Sequence, residues 1–172
     1  MLFTPFEITE TVDMFLRFKL DIRAITLGVS LLDCATASGV ETRRRIREKL
    51  LRIAGPLVKT ARALETEYGI PIINKRLSVT PLALVAAASD DHDYTPYAQV
   101  LDEVVKELDI DFVGGFSALV QKGVSQGDRR LIDSIPHALS HTQRVCASVN
   151  VASTKSGINM NAVRRMGEII KA

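Results

Sequence analysis

Polar and charged side chains follow several of the apolar segments of this sequence, and their types are those that bind small anions. A lysine, hydroxyl groups and backbone N–H groups in a loop after a strand can together hold a phosphate or a carboxylate. Because ligands of parallel α/β folds bind beyond the carboxyl ends of the strands, the sequence predicts an anion site there. The predicted ligand-binding residues are Asn74, Lys75, Arg76, Gly114, Gly115, Ser117, Ser148, Asn150, Ser153, Thr154, Lys155 and Asn159.

The cations and the amides of this set have different expected roles. Lys75, Arg76 and Lys155 are the expected anion ligands, and the amides that would orient the ligand are Asn74, Asn150 and Asn159. The Lys155 segment, predicted between a strand and the start of a helix, lacks the spacing of a phosphate-binding Walker loop. Ordinary turn chemistry explains any one of these loops. Four such loops on one face favour a site.

The chain has two cysteines, and both are candidates for a nucleophile. Strand alternation places Cys146 on one polar side with Ser148 and Asn150. A buried, unreactive thiol is the alternative for either cysteine, since no base lies beside it in the sequence. The predicted catalytic residues are Cys146, Cys34 and Asp33.

Two patterns that could bind metal or nucleic acid favour simpler interpretations. Asp133, His137 and His141 recur every four residues, a spacing that can ligate a metal, but the HExxH glutamate is absent and Pro136 distorts the turn. We therefore expect exposed or locally hydrogen-bonded histidines, with His92 solvated, and no metal site. The basic run at 43–52 is interspersed with Glu48, follows Glu41 and has no aromatic residue, which predicts a solvated helix surface or an oligomer contact.

The elements that must position these residues alternate along the chain. Runs rich in Ile, Val and Leu predict strands at 22–32, 70–79, 110–120 and 145–151. Helical spacing of apolar residues predicts helices from 4 to about 18, at 41–68, at 81–88, from 95, from 127 and from 159. Gly55 and Pro56 predict a break in the second helix. The fold class is α/β, with a mainly parallel sheet or part of a barrel.

Composition limits the classes of protein to consider. Of the 172 residues, 47% are hydrophobic and 24% are charged, which predicts one folded domain over residues 1–172. The formal net charge of +2 argues against nucleic acid as a partner. No apolar run reaches the roughly 20 residues of a membrane span. Two cysteines without a CxxC pair or a secretory signal predict a cytoplasmic protein.

Four long stretches, at 21–34, 69–81, 114–123 and 145–160, resemble an uncharacterised bacterial and archaeal protein family that is similar to pyruvate formate-lyase and ribonucleotide reductase. The resemblance implies a ten-stranded α/β barrel made of two parallel five-stranded halves, and a homodimer. Because family members are longer, it implies that this chain is the N-terminal portion, about half of the barrel. The glycyl-radical motif is absent from these residues.

These observations leave three functions open. The first is an enzyme or enzyme-derived domain that binds a small anionic metabolite at the strand ends. The second is a non-catalytic binding or regulatory module, and the third is a homodimeric interaction protein. The sequence indicates no particular cofactor, and it does not decide whether the chain is an enzyme.

Overall fold

Four parallel strands form one sheet in the order in which they occur in the chain, β1-β2-β3-β4. The computed structural model describes residues 4–17 and 21–171. The strands of the sheet are β1 (Ile22–Val29), β2 (Ile72–Val79), β3 (Phe112–Leu119) and β4 (Val145–Asn150). A short antiparallel hairpin follows, made of β5 (Ala152–Ser153) and β6 (Gly157–Ile158). The helices are α1 (Pro5–Leu16), α2 (Gly39–Ala54), α3 (Leu57–Tyr68), α4 (Leu82–Ala86), α5 (Thr95–Glu107), α6 (Gln126–Ser140) and α7 (Met160–Lys171).

One face of the sheet packs against helices and forms the core. Alternate residues of a strand point to opposite faces, so each strand contributes every second side chain to this core. Its buried strand residues are Val29, Leu77, Val79, Val113, Phe116, Ala118 and Val145. A sequential strand order with right-handed crossovers places the helices on the same side. The α/β class and the parallel sheet predicted from the sequence are therefore confirmed.

Local sequence signals explain where the helices begin and end. The predicted start of α1 is confirmed, since the Thr4 side chain accepts a hydrogen bond from the Glu7 N–H in a capping box. The predicted break is also confirmed, because α2 ends at Ala54 and α3 begins after Pro56. Gly69 ends α3 in the left-handed conformation, with φ of 66°. The expected end of α1 near Phe18 lies outside the described residues.

Several boundaries differ from the predictions. The first strand ends at Val29 rather than at 32, and a short 3-10 helix occupies Leu32–Cys34. The Leu31 N–H there donates to the Thr80 hydroxyl at 3.1 Å, which replaces a strand hydrogen bond. The hairpin of β5 and β6 was not predicted, because each of its strands is only two residues long.

The sheet is open along both of its sides. Its outer strands are β1 and β4, so the described residues do not close a barrel. The barrel expected from the family resemblance is therefore not seen in this part of the chain. None of the helices within residues 4–17 and 21–171 has the length and apolarity to cross a bilayer.

A buried carboxylate anchors the start of β4. Asp102 of α5 is 4% exposed, and its Oδ1 accepts hydrogen bonds from the backbone N–H groups of Gln143 at 2.9 Å and Arg144 at 2.7 Å. Burial opposes ionisation of Asp102, but hydrogen bonds from the Lys106 ammonium and from these two N–H groups outweigh it and lower its pKa. This carboxylate holds α5 to the loop that leads into β4.

Asp102→Asn should therefore destabilise the protein in a pH-dependent way. At pH 7 we expect a loss of roughly 1–3 kcal/mol in the free energy of unfolding, since the N–H groups of Gln143 and Arg144 lose an ionised acceptor that is itself buried. Because the pKa of Asp102 is lowered in the folded state, its contribution is present above the unfolded pKa and disappears as the pH falls through the folded pKa. Urea unfolding at pH 7 and at pH 3 measures this; equal losses at both pH values would contradict it.

A β-bulge in β3 requires glycine. The register between β3 and β4 shifts between Gly114 and Phe116, and Gly115 has φ of 123°. A Cβ on Gly115 would lie 2.3 Å from Val79 Cγ2 and 2.7 Å from the Val79 carbonyl oxygen. Only glycine combines this conformation with so close an approach of β2.

Gly115→Ala should cost roughly 2–4 kcal/mol in the free energy of unfolding, through backbone strain and overlap with Val79. Gly28→Ala is the matched control, because a Cβ at that strand position has no atom within 4 Å. Urea unfolding of both variants provides the comparison. A Gly115→Ala variant as stable as Gly28→Ala would show that the bulge tolerates a side chain.

Candidate functional site

The second face of the sheet carries mostly small and polar side chains together with Phe112 and Leu119, and most of these side chains are exposed or half-buried. The register of the strands identifies them as the alternates of the core residues. We call this surface the open face; it consists of Ala24, Thr26, Gly28, Asn74, Arg76, Ser78, Phe112, Gly114, Ser117, Leu119, Cys146, Ser148 and Asn150.

Seven of the predicted site residues lie on the open face. They come from three different strands, and they are Asn74, Arg76, Gly114, Ser117, Cys146, Ser148 and Asn150. This face has a depression of about 460 Å³. Its lining residues are Thr26, Arg76, Leu77, Ser78, Phe112, Gly114 and Cys146. Its residues from β3 and β4 come from the beginnings of those strands, whereas the sequence predicted a site at the carboxyl ends. The parallel register therefore brings Arg76 and Cys146 to one depression, although they lie 70 residues apart in the numbering of the chain.

Arg76 is the cation of the open face. Its guanidinium carbon lies 6.0 Å from the centroid of the Phe112 ring, which is within the range of a cation–π interaction. None of the described residues gives Arg76 a carboxylate partner. An exposed guanidinium with this geometry can bind a carboxylate or a phosphate through two parallel N–H donors.

Two of the three predicted catalytic residues lie together and the third lies elsewhere. The Cys34 thiol is 3.9 Å from Asp33 Oδ1, and both residues line a depression of about 390 Å³ that also includes basic residues of α2. Cys146 is exposed on the open face, whereas Cys34 is 3% exposed and belongs to the core on the helix side of the sheet. Burial raises the pKa of the Cys34 thiol, and the Asp33 carboxylate raises it further. Asp33 itself accepts a hydrogen bond from Lys49, which lowers the Asp33 pKa. Of these three candidates, Cys146 alone shares the depression with Arg76.

Lys75 lies on the opposite side of β2 from Arg76. Its ammonium donates to the Ile72 carbonyl oxygen at 2.7 Å and pairs with the Glu65 carboxylate at 3.3 Å. Adjacent residues of a strand point to opposite faces, so Lys75 and Arg76 cannot bind one ligand from the same face. The sequence prediction placed Lys75 and Arg76 in one site, but the two-residue period of β2 separates them.

The loop that contains Lys155 is a hairpin turn rather than a helix start. Ser153 and Ser156 hold the turn, with the Ser156 N–H 3.1 Å from Ser153 Oγ and the two Oγ atoms 2.6 Å apart. Thr154 and Lys155 are exposed within the turn. The prediction placed Lys155 beside the N–H groups of a helix start, where both could bind one anion. No helix begins at this turn, so that arrangement is not formed.

Asn159 makes backbone hydrogen bonds at the start of α7. Its Oδ1 accepts from the Ala162 N–H at 3.2 Å, and its Nδ2 donates to the Val120 carbonyl oxygen at 2.8 Å. Both ends of the amide are engaged, so Asn159 connects α7 to the end of β3. It is a structural residue in this arrangement.

The bulge at Gly115 determines which later residues of β3 lie on the open face. The bulge at Gly115 moves β3 by one residue, which places Ser117 on the same face as Gly114. The Ser117 hydroxyl donates to the Gly115 carbonyl oxygen at 3.4 Å. The sequence prediction missed Thr26, Ser78 and Phe112 as neighbours of Arg76. Alternation along the first two strands could have identified Thr26 and Ser78.

The basic run of α2 is paired with carboxylates, as expected of a solvated helix surface. The pairs are Arg43–Asp91, Arg44–Glu41, Arg44–Glu48, Arg45–Glu41, Arg47–Glu107 and Lys49–Asp33.

Across residues 4–17 and 21–171, no group of three or more His, Cys, Asp or Glu side chains could hold a metal ion.

Comparison with known proteins gives a consistent result. Residues 13–172 match a protein family described as Uncharacterised ACR (DUF711). A UPF0210 protein of Halothermothrix orenii and one of Acetivibrio thermocellus are each 58% identical over 167 residues. One of Lactobacillus helveticus is 55% identical over 165 residues. The matches cover 96–97% of this chain but only 37% of each of these relatives.

The two thiols should differ in reactivity. In the native chain we expect Cys146 to react with a thiol reagent in one fast phase, and Cys34 to react about 100-fold more slowly or only after denaturation, because its reaction requires local opening. Quantifying the thiolate released from an aromatic disulfide reagent checks this. Cys146→Ser should remove the fast phase; two fast thiols in the native chain would contradict the burial of Cys34.

Proposed function

The chain belongs to the DUF711 family of uncharacterised proteins, which includes the UPF0210 proteins, and we propose that its open face forms one wall of a cavity that binds a small anionic metabolite. The observation that carries this proposal is Arg76, an arginine without a carboxylate partner among residues 4–17 and 21–171, in a depression on the open face of a parallel sheet.

The composition of the open face supports a cavity rather than a second core. Parallel sheets occur almost only with both faces covered, and a face covered by helices is rich in Val, Ile and Leu. Here the face opposite the helices carries Thr26, Ser78, Ser148 and two glycines. A face with this composition fits the polar interior of a barrel or cleft, where ligands bind.

The strand order supports a sector of a barrel. Helices on one side of a sequential parallel sheet are the arrangement of α/β barrels, whereas doubly wound sheets reverse their strand order and have helices on both faces. The relatives are longer than this chain, which spans 37% of their length. We therefore propose that residues 1–172 are the N-terminal portion of a ten-stranded barrel like that of pyruvate formate-lyase and ribonucleotide reductase. The rest of the longer protein would supply the other walls.

The proposed ligand is held by few groups. Arg76 binds the anionic group through its guanidinium, and the hydroxyls of Thr26, Ser78 and Ser148 lie on the same face as further donors. Cys146 is the candidate nucleophile closest to this arrangement, since it lines the depression. Asn74 is less available, because its Nδ2 donates to the Arg23 carbonyl oxygen at 3.0 Å.

An interaction role is the second candidate, and exposed apolar side chains favour it. Phe6 and Leu16 of α1 are 71% and 69% exposed, and Ile170 of α7 is 81% exposed. Apolar surface of this kind is common at contacts between chains. The homodimer and the cytoplasmic location stay predictions, and light scattering of the purified chain tests the first of them.

Alkylation of Cys146 tests the role of Arg76. Iodoacetate is a small carboxylate, and iodoacetamide is its neutral counterpart. At low ionic strength, we compare the rate of iodoacetate with that of iodoacetamide at Cys146. Arg76→Gln should lower the iodoacetate-to-iodoacetamide ratio about fivefold, which corresponds to losing roughly 1 kcal/mol of attraction for the anion. Peptide mass mapping measures the rate at this residue.

The control variant is Arg62→Gln, which removes an exposed arginine of α3 that pairs with Asp109. Its rate ratio should equal that of the unchanged chain. A carboxylate or phosphate that protects Cys146 from iodoacetamide in the unchanged chain, but not in Arg76→Gln, would identify the class of ligand. Equal ratios in Arg76→Gln and Arg62→Gln would refute an anion site at Arg76.

A further inference from the structure

Two histidines at the end of α6 lie close together, and hydrogen bonds orient both rings. His137 and His141 are exposed and four residues apart, so they lie on one side of the helix. Their ring centroids are 4.1 Å apart, with 39° between the ring planes. A Zn–N bond is about 2.0–2.1 Å long, so one ion can bind two nitrogen atoms up to about 4 Å apart.

The hydrogen bonds around His141 determine which of its nitrogen atoms is free. Its Nδ1 lies 2.8 Å from the His137 carbonyl oxygen, which also accepts the hydroxyl of Ser140 at 2.8 Å. A carbonyl oxygen can only accept, so the network assigns the hydrogen of His141 to Nδ1. In the neutral ring, Nε2 then carries an unshared electron pair.

The same reasoning applies to His137. Its Nδ1 lies 3.2 Å from Thr95 Oγ1, and the Thr95 hydroxyl donates its single hydrogen to Asp93 Oδ1 at 2.8 Å. Thr95 Oγ1 must therefore accept from Nδ1 of His137, which again leaves Nε2 unprotonated in the neutral ring. Metal-binding histidines in proteins commonly donate their other ring N–H to a carbonyl oxygen or a carboxylate in this way.

We propose that Nε2 of His137 and Nε2 of His141 bind one divalent transition-metal ion of the Zn²⁺ or Ni²⁺ class. Imidazole nitrogen is a preferred ligand of these ions. His141 is also the C-cap of α6, where the carbonyl groups at the end of the helix favour a positive charge. Asp133 lies one turn earlier and pairs with Arg165 at 2.7 Å, so the proposal does not use its carboxylate as a third ligand. Water molecules would complete the coordination of the ion.

The site is independent of the open face. α6 packs on the helix side of the sheet, and its residues Leu131, Ile135 and Ala138 are buried in the core. The local hydrogen bonds expected for these histidines are present. These hydrogen bonds orient the two rings and leave Nε2 of each neutral ring without a hydrogen, so that both nitrogen atoms are available to a metal ion.

Titration with Zn²⁺ alone tests the proposal, and the chain contains its own control. It has three histidines, of which His92 lies in a loop outside the pair. The variants are made in a Cys146→Ser background, which removes the exposed thiol as a competing ligand. Calorimetric titration at pH 7.5 should show one Zn²⁺ per chain, with the same affinity in His92→Ala. His137→Ala and His141→Ala should each weaken binding at least about tenfold, since each removes one of two ligands.

Thr95 is a positioning residue for this site. Thr95→Val removes the acceptor of the His137 N–H and should weaken Zn²⁺ binding roughly tenfold, whereas Thr95→Ser keeps the hydroxyl and should restore it. Imidazole nitrogen NMR signals should show Zn²⁺ at Nε2 of both residues. Far-UV circular dichroism confirms that each variant folds.

Two results would overturn the proposal. One is a Zn²⁺ affinity that is unchanged in His141→Ala, and the other is a loss in His92→Ala as large as that in His137→Ala. The histidine side chains are exposed, so these variants test the site even if Thr95→Val does not fold.

Discussion

The two-residue period of the strands controls the rest of this structure, because the helices of the described chain pack against one side of the sheet. Leu77 and Arg76 are neighbours in the chain, yet the first is fully enclosed by the core and the second is exposed on the open face. The same division separates Val145 from Cys146. Each strand thus stabilises the fold with one set of side chains and exposes a second set on the open face. A change of register by one residue would exchange the two sets.

Two local features adapt this regular pattern. The bulge at Gly115 changes the phase of β3, so that both Gly114 and Ser117 belong to the open face although they are three residues apart. The Asp102 carboxylate fixes the entry into β4 and thereby the position of Cys146. The open face therefore depends on residues that lie outside it, and its geometry is set by backbone contacts rather than by the polar side chains themselves.

Much of the fold could be predicted from the sequence, because it depends on local signals. Thr4, Pro56 and Gly69 specify helix ends through capping, a missing N–H and a left-handed conformation, and each is recognisable in isolation. The register between strands is different, since it depends on crossovers that bring distant residues together. The convergence of Arg76, Phe112 and Cys146 could not be inferred from any one segment.

The candidate site was predicted in part for the same reason. Residue types along the strands pointed to Arg76, Ser148 and Asn150, which do share a face. The predictions for Lys155 and Asn159 rested on a loop that leads directly into a helix, and a hairpin of two-residue strands lies there instead. Such strands carry no periodic signal. The hydrogen bond that orients His137 likewise depends on Thr95, which is more than 40 residues away in the chain.

The sequential strand order has a consequence for how this protein forms during synthesis. Each strand after β1 pairs in the sheet with the strand that precedes it in the chain, and each crossover carries helices that cover that pair. A growing chain can complete each pairing as soon as the next crossover has left the ribosome, without residues that are made later. Each pairing therefore closes a loop of one crossover rather than of the whole chain, and the entropy cost of that closure does not grow as further strands are added.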